Sequence, residues 1–373
     1  MFVFGTRPEA IKMCPVILEM KKLKDFHVIV TVTGQHREML DQVLAEFQVI
    51  PDYDLAIMRD RQSLTEMTGH ILHELGKVLL LEKPDLLLVH GDTTTTFSAA
   101  LAAFYHHIRL GHIEAGLRTN DKYSPYPEEM NRRLVGELTD LHFSPTRTAK
   151  ENLLREGKRE DSIFVTGNTV IDALKYTVSE TFKHTILEKI YEQERRSKEK
   201  QRIILLTVHR RENQGNGMKN IFRAVRRIVR QYKNAHVVFP VHLNPNVQKM
   251  AYEMLDAQER IYLTSPLDML SFHNFESRAF MILTDSGGVQ EEAPYFGIPV
   301  LVLRENTERP EGVAAGTLRL VGADEKKIYQ AACELMDNTE TYDKMSRSVN
   351  PYGDGHASQR IVKIIKNQLA INS

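Results

Sequence analysis

The stretch Ile282-Leu283-Thr284-Asp285-Ser286-Gly287-Gly288-Val289-Gln290-Glu291-Glu292-Ala293 decides how this chain is read. An apolar, strand-like run ends in Asp-Ser-Gly-Gly and passes directly into a helix-like segment carrying two glutamates. Glycines let backbone amides come close to an anion, and a helix start points unpaired N–H groups and its positive dipole end at it. The lysine of a Walker loop is absent, so the turn suits holding a nucleotide's phosphates better than transferring one. Glu292, about one turn further in, is placed to reach a ribose hydroxyl. A glycine-rich strand-to-helix turn that only saves space fits the motif alone equally well.

Outward from that turn, apolar runs alternate with helix-like stretches. The strand candidates in the first half are Phe2–Phe4, Val28–Thr33, Leu86–Val89, Leu110–Ile113, Leu141–Phe143 and Ile163–Thr166. In the second half they are Ile203–Thr207, Val237–Pro240, Ile261–Leu263, Phe280–Leu283, Val300–Leu303 and Leu318–Val321. Helices are predicted at His36–Phe47, Leu64–Leu81, Glu128–Leu138, Met218–Gln231 and Glu325–Met336. Runs such as Leu86-Leu87-Leu88-Val89 are apolar at every position, which marks a parallel sheet covered on both faces and an α/β fold. A chain of 373 residues is too long for one ordinary core, so two domains are expected. Lys183 to Lys200, rich in Lys, Glu, Arg and Gln, reads as a solvated helix or linker between two doubly wound halves. The last helix-like segment, Ala357 to Leu369, has no strand after it and could pack on either half.

Composition removes several function classes. Lys+Arg and Asp+Glu are both 49, so the chain lacks the basic surplus of a general nucleic-acid binder. No apolar run reaches membrane-spanning length, and no basic segment followed by an apolar one opens the chain, so neither an anchor nor a signal peptide is expected. The two cysteines, Cys14 and Cys333, lie far apart and read as buried free thiols in a reduced cytoplasm.

In open α/β sheets, ligands bind beyond the carboxyl ends of the strands. The chemically capable residues of this chain cluster at those positions. They include Arg7 and Lys12 after the first strand, with Pro8 at a first helical position and Arg7 in the loop before it. Gln35-His36-Arg37, His90-Gly91-Asp92, Glu114, His209-Arg210-Arg211, His242 and Asp285-Ser286-Gly287-Gly288 follow further along. Asp92 caps the next helix or serves chemistry. Glu114 is a poor cap, and a carboxylate partly withdrawn from water has its pKa raised, which suits proton transfer. Glu128 opens a helix, where its charge favours the dipole if it has no other role. His209, Arg210 and Arg211 form a cationic cluster fit for a leaving diphosphate, or else a surface charge run. Metal signals are poor: Asp52-Tyr53-Asp54 has a DxD form but reads as a turn, and His70-Ile71-Leu72-His73-Glu74 is an amphipathic face.

These motifs together resemble the non-hydrolysing UDP-N-acetylglucosamine 2-epimerases of the bacterial type. The likeness runs essentially end to end. It rests on Gly5-Thr6-Arg7-Pro8-Glu9-Ala10-Ile11-Lys12-Met13, His90-Gly91-Asp92-Thr93-Thr94-Thr95-Thr96, His112-Ile113-Glu114-Ala115-Gly116-Leu117-Arg118 and Tyr123-Ser124-Pro125-Tyr126-Pro127-Glu128-Glu129. His209-Arg210-Arg211-Glu212, Pro240-Val241-His242-Leu243-Asn244-Pro245, Asp285-Ser286-Gly287-Gly288 and Glu308-Arg309-Pro310-Glu311 complete it, with Asn350-Pro351-Tyr352-Gly353-Asp354-Gly355.

The resemblance implies two Rossmann-like, doubly wound domains with the nucleotide sugar in the cleft between them, as in GT-B glycosyltransferases. Residues 1–170 would be the N-terminal domain carrying the acid/base groups, with helix 355–373 packed back on it, and 171–354 the UDP-binding domain. By the same resemblance, Arg7, His209, Phe272, Ser286, Gly287, Gly288, Glu292 and Arg309 would hold UDP. Leu267 would contact uracil through its backbone, and Lys12 would lie near the sugar and diphosphate. Asp92, Glu114 and Glu128 would be the acid/base set. His209 counts with them as catalytic, a cation beside Arg7 and Arg309 at the departing diphosphate. Gln35, His36, Glu38, Arg61, Gln62, Arg210 and His242 match an activator site for the substrate UDP-N-acetylglucosamine itself. The family implies a cytoplasmic homodimer that needs no metal or nicotinamide cofactor and supplies N-acetylmannosamine for cell-surface polysaccharide.

The implied chemistry is elimination of UDP to a glycal and re-addition with C2 inverted. A GT-B UDP-sugar glycosyltransferase, a hydrolysing epimerase releasing free N-acetylmannosamine, and a catalytically idle nucleotide-sugar sensor are the rival readings.

Overall fold

Two parallel sheets, each with helices on both faces, are built from the apolar runs. The structure, a computed structural model, describes residues 1–34, 37–59, 62–256 and 258–370, and of Arg37 and Glu38 the backbone alone. The chain divides into two compact units, Met1–Tyr176 with Tyr352 onward, and Thr177–Pro351.

The first unit contains β1 (Phe2–Phe4), β2 (Val30–Val32), β3 (Tyr53–Asp54), β4 (Leu86–His90), β5 (Arg109–Ile113), β6 (Leu141–Ser144) and β7 (Ile163–Val165). Their order is β3-β2-β1-β4-β5-β6-β7, with every neighbouring pair parallel. The second contains β8 (Arg202–Thr207), β9 (Ala235–Pro240), β10 (Ile261–Thr264), β11 (Met281–Thr284), β12 (Val300–Val302) and β13 (Leu318–Leu320). Its order is β10-β9-β8-β11-β12-β13, again all parallel. Both are doubly wound sheets. The winding reverses between β1 and β4 in one and between β8 and β11 in the other, and such switch points are where ligands bind.

The period-2 alternation of side chains explains why the strands are apolar throughout. In the second sheet Ile204, Leu206, Val237, Phe239, Met281 and Leu283 pack into one core, under the helices Asn216–Gln231 and Glu325–Asp337. Their sequence neighbours Ile203, Leu205, Val238 and Ile282 pack into a second core on the opposite face. In the first sheet Leu87 and Val89 join Ile71, Leu75 and Leu79 of the helix Leu64–Glu82 and the alanines of the helix Thr94–Tyr105. On the opposite face, Gly111 of β5 leaves room for its neighbours, because a Cβ there would come within 2.5 Å of Leu88 and 3.2 Å of Phe143.

Three local expectations change. Tyr53–Asp54 is not a turn but a short edge strand paired with β2. Asp52 beside it accepts from the Val30 N–H at 2.8 Å. Of the two readings of Lys183–Lys200, helix or linker, the helix holds, but it is not a connection between the halves. It is the helix Thr185–Ser197 inside the second unit, and its few apolar residues, Ile186, Leu187 and Ile190, are buried in that unit's core. Arg7 is the first residue of the helix Arg7–Lys21, with Thr6 as its cap, and not part of the preceding loop.

The helix Ala357–Ala370 packs on the helix Arg7–Lys21 of the first unit. Asp172 accepts from the Ala357 and Ser358 N–H groups at 3.1 and 2.8 Å, which fixes the start of that helix. Cys14 is buried and Cys333 half-buried, and both are free. No helix among the described residues is long and apolar enough to cross a membrane.

Candidate active site

The first unit gathers its carboxylates at the ends of β1, β4 and β5. Glu9 serves the scaffold. Its Oε2 accepts from the Gly5 and Thr6 N–H groups at 3.0 and 2.8 Å, and its Oε1 from the Thr93 and Thr96 hydroxyls at 2.6 and 3.0 Å. One buried carboxylate thus ties the loop after β1 to the start of the helix after β4. That leaves Lys12, one turn into its helix, to pair with Glu114 at the end of β5.

Glu114 is buried and sits at φ +64°, a left-handed conformation that costs a non-glycine residue about 1–3 kcal/mol. Its Oε1 lies over Gly91, 3.8 Å from where a Cβ of that residue would be. Oε2 pairs with Lys12 and accepts from Asn168 Nδ2 at 3.3 Å, with His90 Nε2 at 3.6 Å. Burial alone would raise its pKa, but the Lys12 charge and His90 together hold it well below the usual carboxylate value. This reverses the expectation of a raised pKa.

Asp92 behaves in the opposite way. The cap of the helix Thr94–Tyr105 is Thr93, whose hydroxyl accepts from the Thr96 N–H at 3.1 Å, so the Asp92 side chain is not spent on capping. Arg132 meets its carboxylate at 2.5 Å, and Asn131 donates to its backbone carbonyl at 2.8 Å. Burial raises the Asp92 pKa, Arg132 opposes this, and the neighbouring Glu114 raises it further, with a net upward shift. Two carboxylates with proton affinities pushed apart form the acid/base arrangement that proton transfer in both directions requires.

Glu128 begins the helix Glu128–Leu138, one turn before Arg132 and so on the same face. Its Oε2 is buried without a hydrogen-bond partner. The adjacent Glu129 is fully buried and structural, accepting from the Thr119 and Asn120 N–H groups and from Arg133 Nε at 2.9, 3.2 and 3.1 Å.

The second unit builds its site at the ends of β8 and β11. Asp285 is fully buried and accepts from the His209 N–H at 3.0 Å, the Arg210 N–H at 2.9 Å and Asn213 Nδ2 at 3.0 Å. His209 Nδ1 lies 3.2 Å from its Oδ1. Asp285 therefore shapes the loop after β8. Ser286 stands at the cap position of the helix Gly287–Glu292 without making a side-chain cap bond. A Cβ on Gly287 would lie 3.6 Å from Arg309 Nη2 and 3.9 Å from Arg210 Nη2, so two guanidinium groups face that glycine. Glu291 pairs with Arg309, and Glu308 lies 3.5 Å from Arg210. His209 stacks on His242 with ring centroids 5.5 Å apart. Burial, together with His242 and Arg210, lowers the His209 pKa despite Asp285. Arg210 and Arg309 carry the permanent positive charge at this site. Leu267 and Phe272 pack against the core that also takes up Val289 of the helix Gly287–Glu292.

The sequence model described as UDP-N-acetylglucosamine 2-epimerase matches residues 18–366. The UDP-N-acetylglucosamine 2-epimerase of Bacillus subtilis is 56% identical over 363 residues, 97% of this chain and 93% of that protein. The chain belongs to the UDP-N-acetylglucosamine 2-epimerase family. A solved structure from Listeria monocytogenes superposes with a TM-score of 0.93 at 51% identity, covering 99% of this chain and 96% of the other. The UDP-GlcNAc 2-epimerase from Neisseria meningitidis, solved bound to UDP-GlcNAc, gives a TM-score of 0.84 at 49% identity and covers 98% and 99%. These structures share the GT-B-like two-domain α/β architecture.

As a family member the chain carries two groups of residues with different legibility. Lys12, Asp92 and Glu114 come together in the first unit, as do His209, Arg309, Gly287 and Gly288 in the second. Of the activator set, Gln35, His36 and Arg61 lie outside the described residues, as does the Glu38 side chain. Gln62 is engaged with His70 at 2.8 Å. Arg210 and His242 stand at the cradle itself. In the sequence, His90 stands out only as part of His90-Gly91-Asp92, with no role of its own, and Asn131, Arg132 and Asn168 do not stand out. Asn131 and Arg132 carried a usable signal, three and four residues after Glu128 on one helical face.

Proposed function

We propose that the chain interconverts UDP-N-acetylglucosamine and UDP-N-acetylmannosamine by eliminating UDP and adding it back. The observation that carries this reading is the pair Asp92 and Glu114, adjacent carboxylates with proton affinities shifted in opposite directions. The C-terminal unit holds UDP: the Gly287 and Gly288 turn, Ser286 and Arg309 take the diphosphate. Leu267 and Phe272 take the uracil and Glu292 the ribose.

C2–H of a pyranose is not acidic until C1 becomes electron-poor. The C1–O bond therefore breaks first, its electron pair leaving with UDP, and the arginines stabilise the charge that develops. A carboxylate then removes the C2 proton, and the C–H electrons become the C1=C2 double bond of 2-acetamidoglucal. Protonation of C2 from the other face and return of a UDP oxygen to C1 complete inversion. Each direction uses one of the two carboxylates as base and the other as acid, and Glu114 and Asp92 exchange these roles when the direction reverses. Lys12 keeps Glu114 ionised, Arg132 orients Asp92, and Glu128 is the third member of the set.

Substrate also acts as activator in this reading, through Arg210, His242 and Gln62 together with Gln35, His36, Glu38 and Arg61. The chain works as a cytoplasmic homodimer that supplies N-acetylmannosamine for cell-surface polysaccharide. Exposed apolar side chains at the ends of two helices, Leu80, Leu81, Phe104 and Tyr105, support self-association. Sedimentation equilibrium checks it, and a purely monomeric protein contradicts it.

Incubation with UDP-N-acetylglucosamine in deuterated water tests the reaction. Deuterium at C2 of both epimers supports it. Transfer to an acceptor without exchange indicates a glycosyltransferase, and release of free sugar as the main outcome indicates a hydrolase.

A further inference from the structure

Glu276 ends the helix Met269–Glu276 and is completely buried, with neither carboxyl oxygen hydrogen-bonded. The reading above gives it no role. An ionised carboxylate with no partner is far too costly in such a place, so the group must be neutralised.

What surrounds it is specific. Ligating atoms of His273, Glu276 and Glu292 all lie within 4.8 Å of one another. His273 Nε2 is 3.8 Å from Glu292 Oε2, while its Nδ1 is fixed to the Thr177 hydroxyl at 2.8 Å. Glu292 reaches the other way as well, with its Oε1 3.6 Å from where a Cβ of Gly288 would be. Glu292 thus stands between the phosphate cradle and a buried carboxyl group. Among the described residues, the titratable groups gathered on Glu276 are His273 from its own helix and Glu292 from the next. Burial first, and the Glu292 charge second, hold the Glu276 carboxyl well above the usual range.

We propose that Glu276 is a positioning residue: it stands as a neutral carboxylic acid whose O–H donates to Glu292, orienting that carboxylate to accept the ribose hydroxyls of bound UDP. This rests on the reading that Glu292 holds the ribose. Of two neighbouring carboxylates the more buried one keeps the proton, and the one nearer solvent keeps the charge, as in the shared-proton dyads of acid proteases. Glu276 therefore sets the preference for a ribonucleotide without touching it.

The test is calorimetric binding of UDP and of 2′,3′-dideoxyuridine diphosphate to the full chain across a pH series. The parent prefers UDP, and Glu292→Ala abolishes the preference. Glu276→Gln, neutral and still a donor, keeps the preference within about twofold, whereas Glu276→Ala loses roughly tenfold of it, as for a lost hydrogen bond to a charged group. In the parent the preference declines as pH rises and Glu276 loses its proton, but in Glu276→Gln it does not. A merely structural residue would not produce that difference. Should Glu276→Ala fail to fold, the pH series on the parent and Glu276→Gln decides alone. If Glu292→Ala retains the preference, the ribose reading itself fails. If Glu292→Ala loses it but Glu276→Ala keeps it, or parent and Glu276→Gln share one pH profile, the role of Glu276 fails by itself. A divalent cation recovered in equal amount with the parent and absent from Glu276→Gln would overturn it in favour of a metal site.

Discussion

The ends of β4 and β11 occupy equivalent places beside the switch points of two sheets of the same winding, yet the carboxylates buried around them serve different purposes. Asp285 accepts backbone N–H groups and one amide, so its charge is consumed in shaping a loop. The cations at that edge are the Arg309 and Arg210 guanidinium groups beside Gly287, each held by a glutamate, a fixed arrangement for a fixed anion. Glu114 and Asp92 instead meet side chains, Lys12 and Arg132, that tune how tightly each holds a proton. A doubly wound sheet supplies the place, and the partner of the buried acid decides between binding and chemistry.

The largest expected effect follows from removing the base. Glu114→Gln should lower C2 exchange by about 10²–10⁴-fold, with UDP affinity by calorimetry close to the parent. Equal losses in both would erase the distinction between the two regions. Next in size is Asp285→Ala, which leaves several buried donors unpaired. It should cost about 3–5 kcal/mol in thermal or urea unfolding, as removal of a buried paired charge does, and abolish UDP binding. A stable variant that still binds UDP would show that the loop after β8 does not depend on Asp285.

How much of this was legible in the sequence depends on distance along the chain. Strands such as β4, apolar on both faces, announce themselves, and so do the motifs at their ends. Tyr53–Asp54 does not, because two residues carry no period. The helix Thr185–Ser197 hides its buried Ile186, Leu187 and Ile190 among charges that resemble a linker. The Glu114 environment is least legible, since burial is local in its signal but Lys12 lies 102 residues away in sequence. The same holds for Asp285, whose scaffold role depends on partners more than 70 residues distant.

Arg309→Lys sharpens the binding side of the comparison. It keeps the charge but loses the planar fork, and roughly a tenfold loss of UDP affinity is expected by titration. Lys12→Met probes the chemical side and is the mildest at neutral pH. Without that charge, burial raises the Glu114 pKa. Because Glu114 must be ionised to act, the acid limb of the kcat/KM profile should move to higher pH. An unmoved limb would mean that Lys12 does not hold Glu114 ionised.

Epimerisation by Asp92→Asn, on protein shown by calorimetry to bind UDP, tests the central claim most directly. The division between a unit that grips the nucleotide and carboxylates that move the proton predicts parent-like affinity and almost no inversion at C2. Inversion at the parent rate would contradict it.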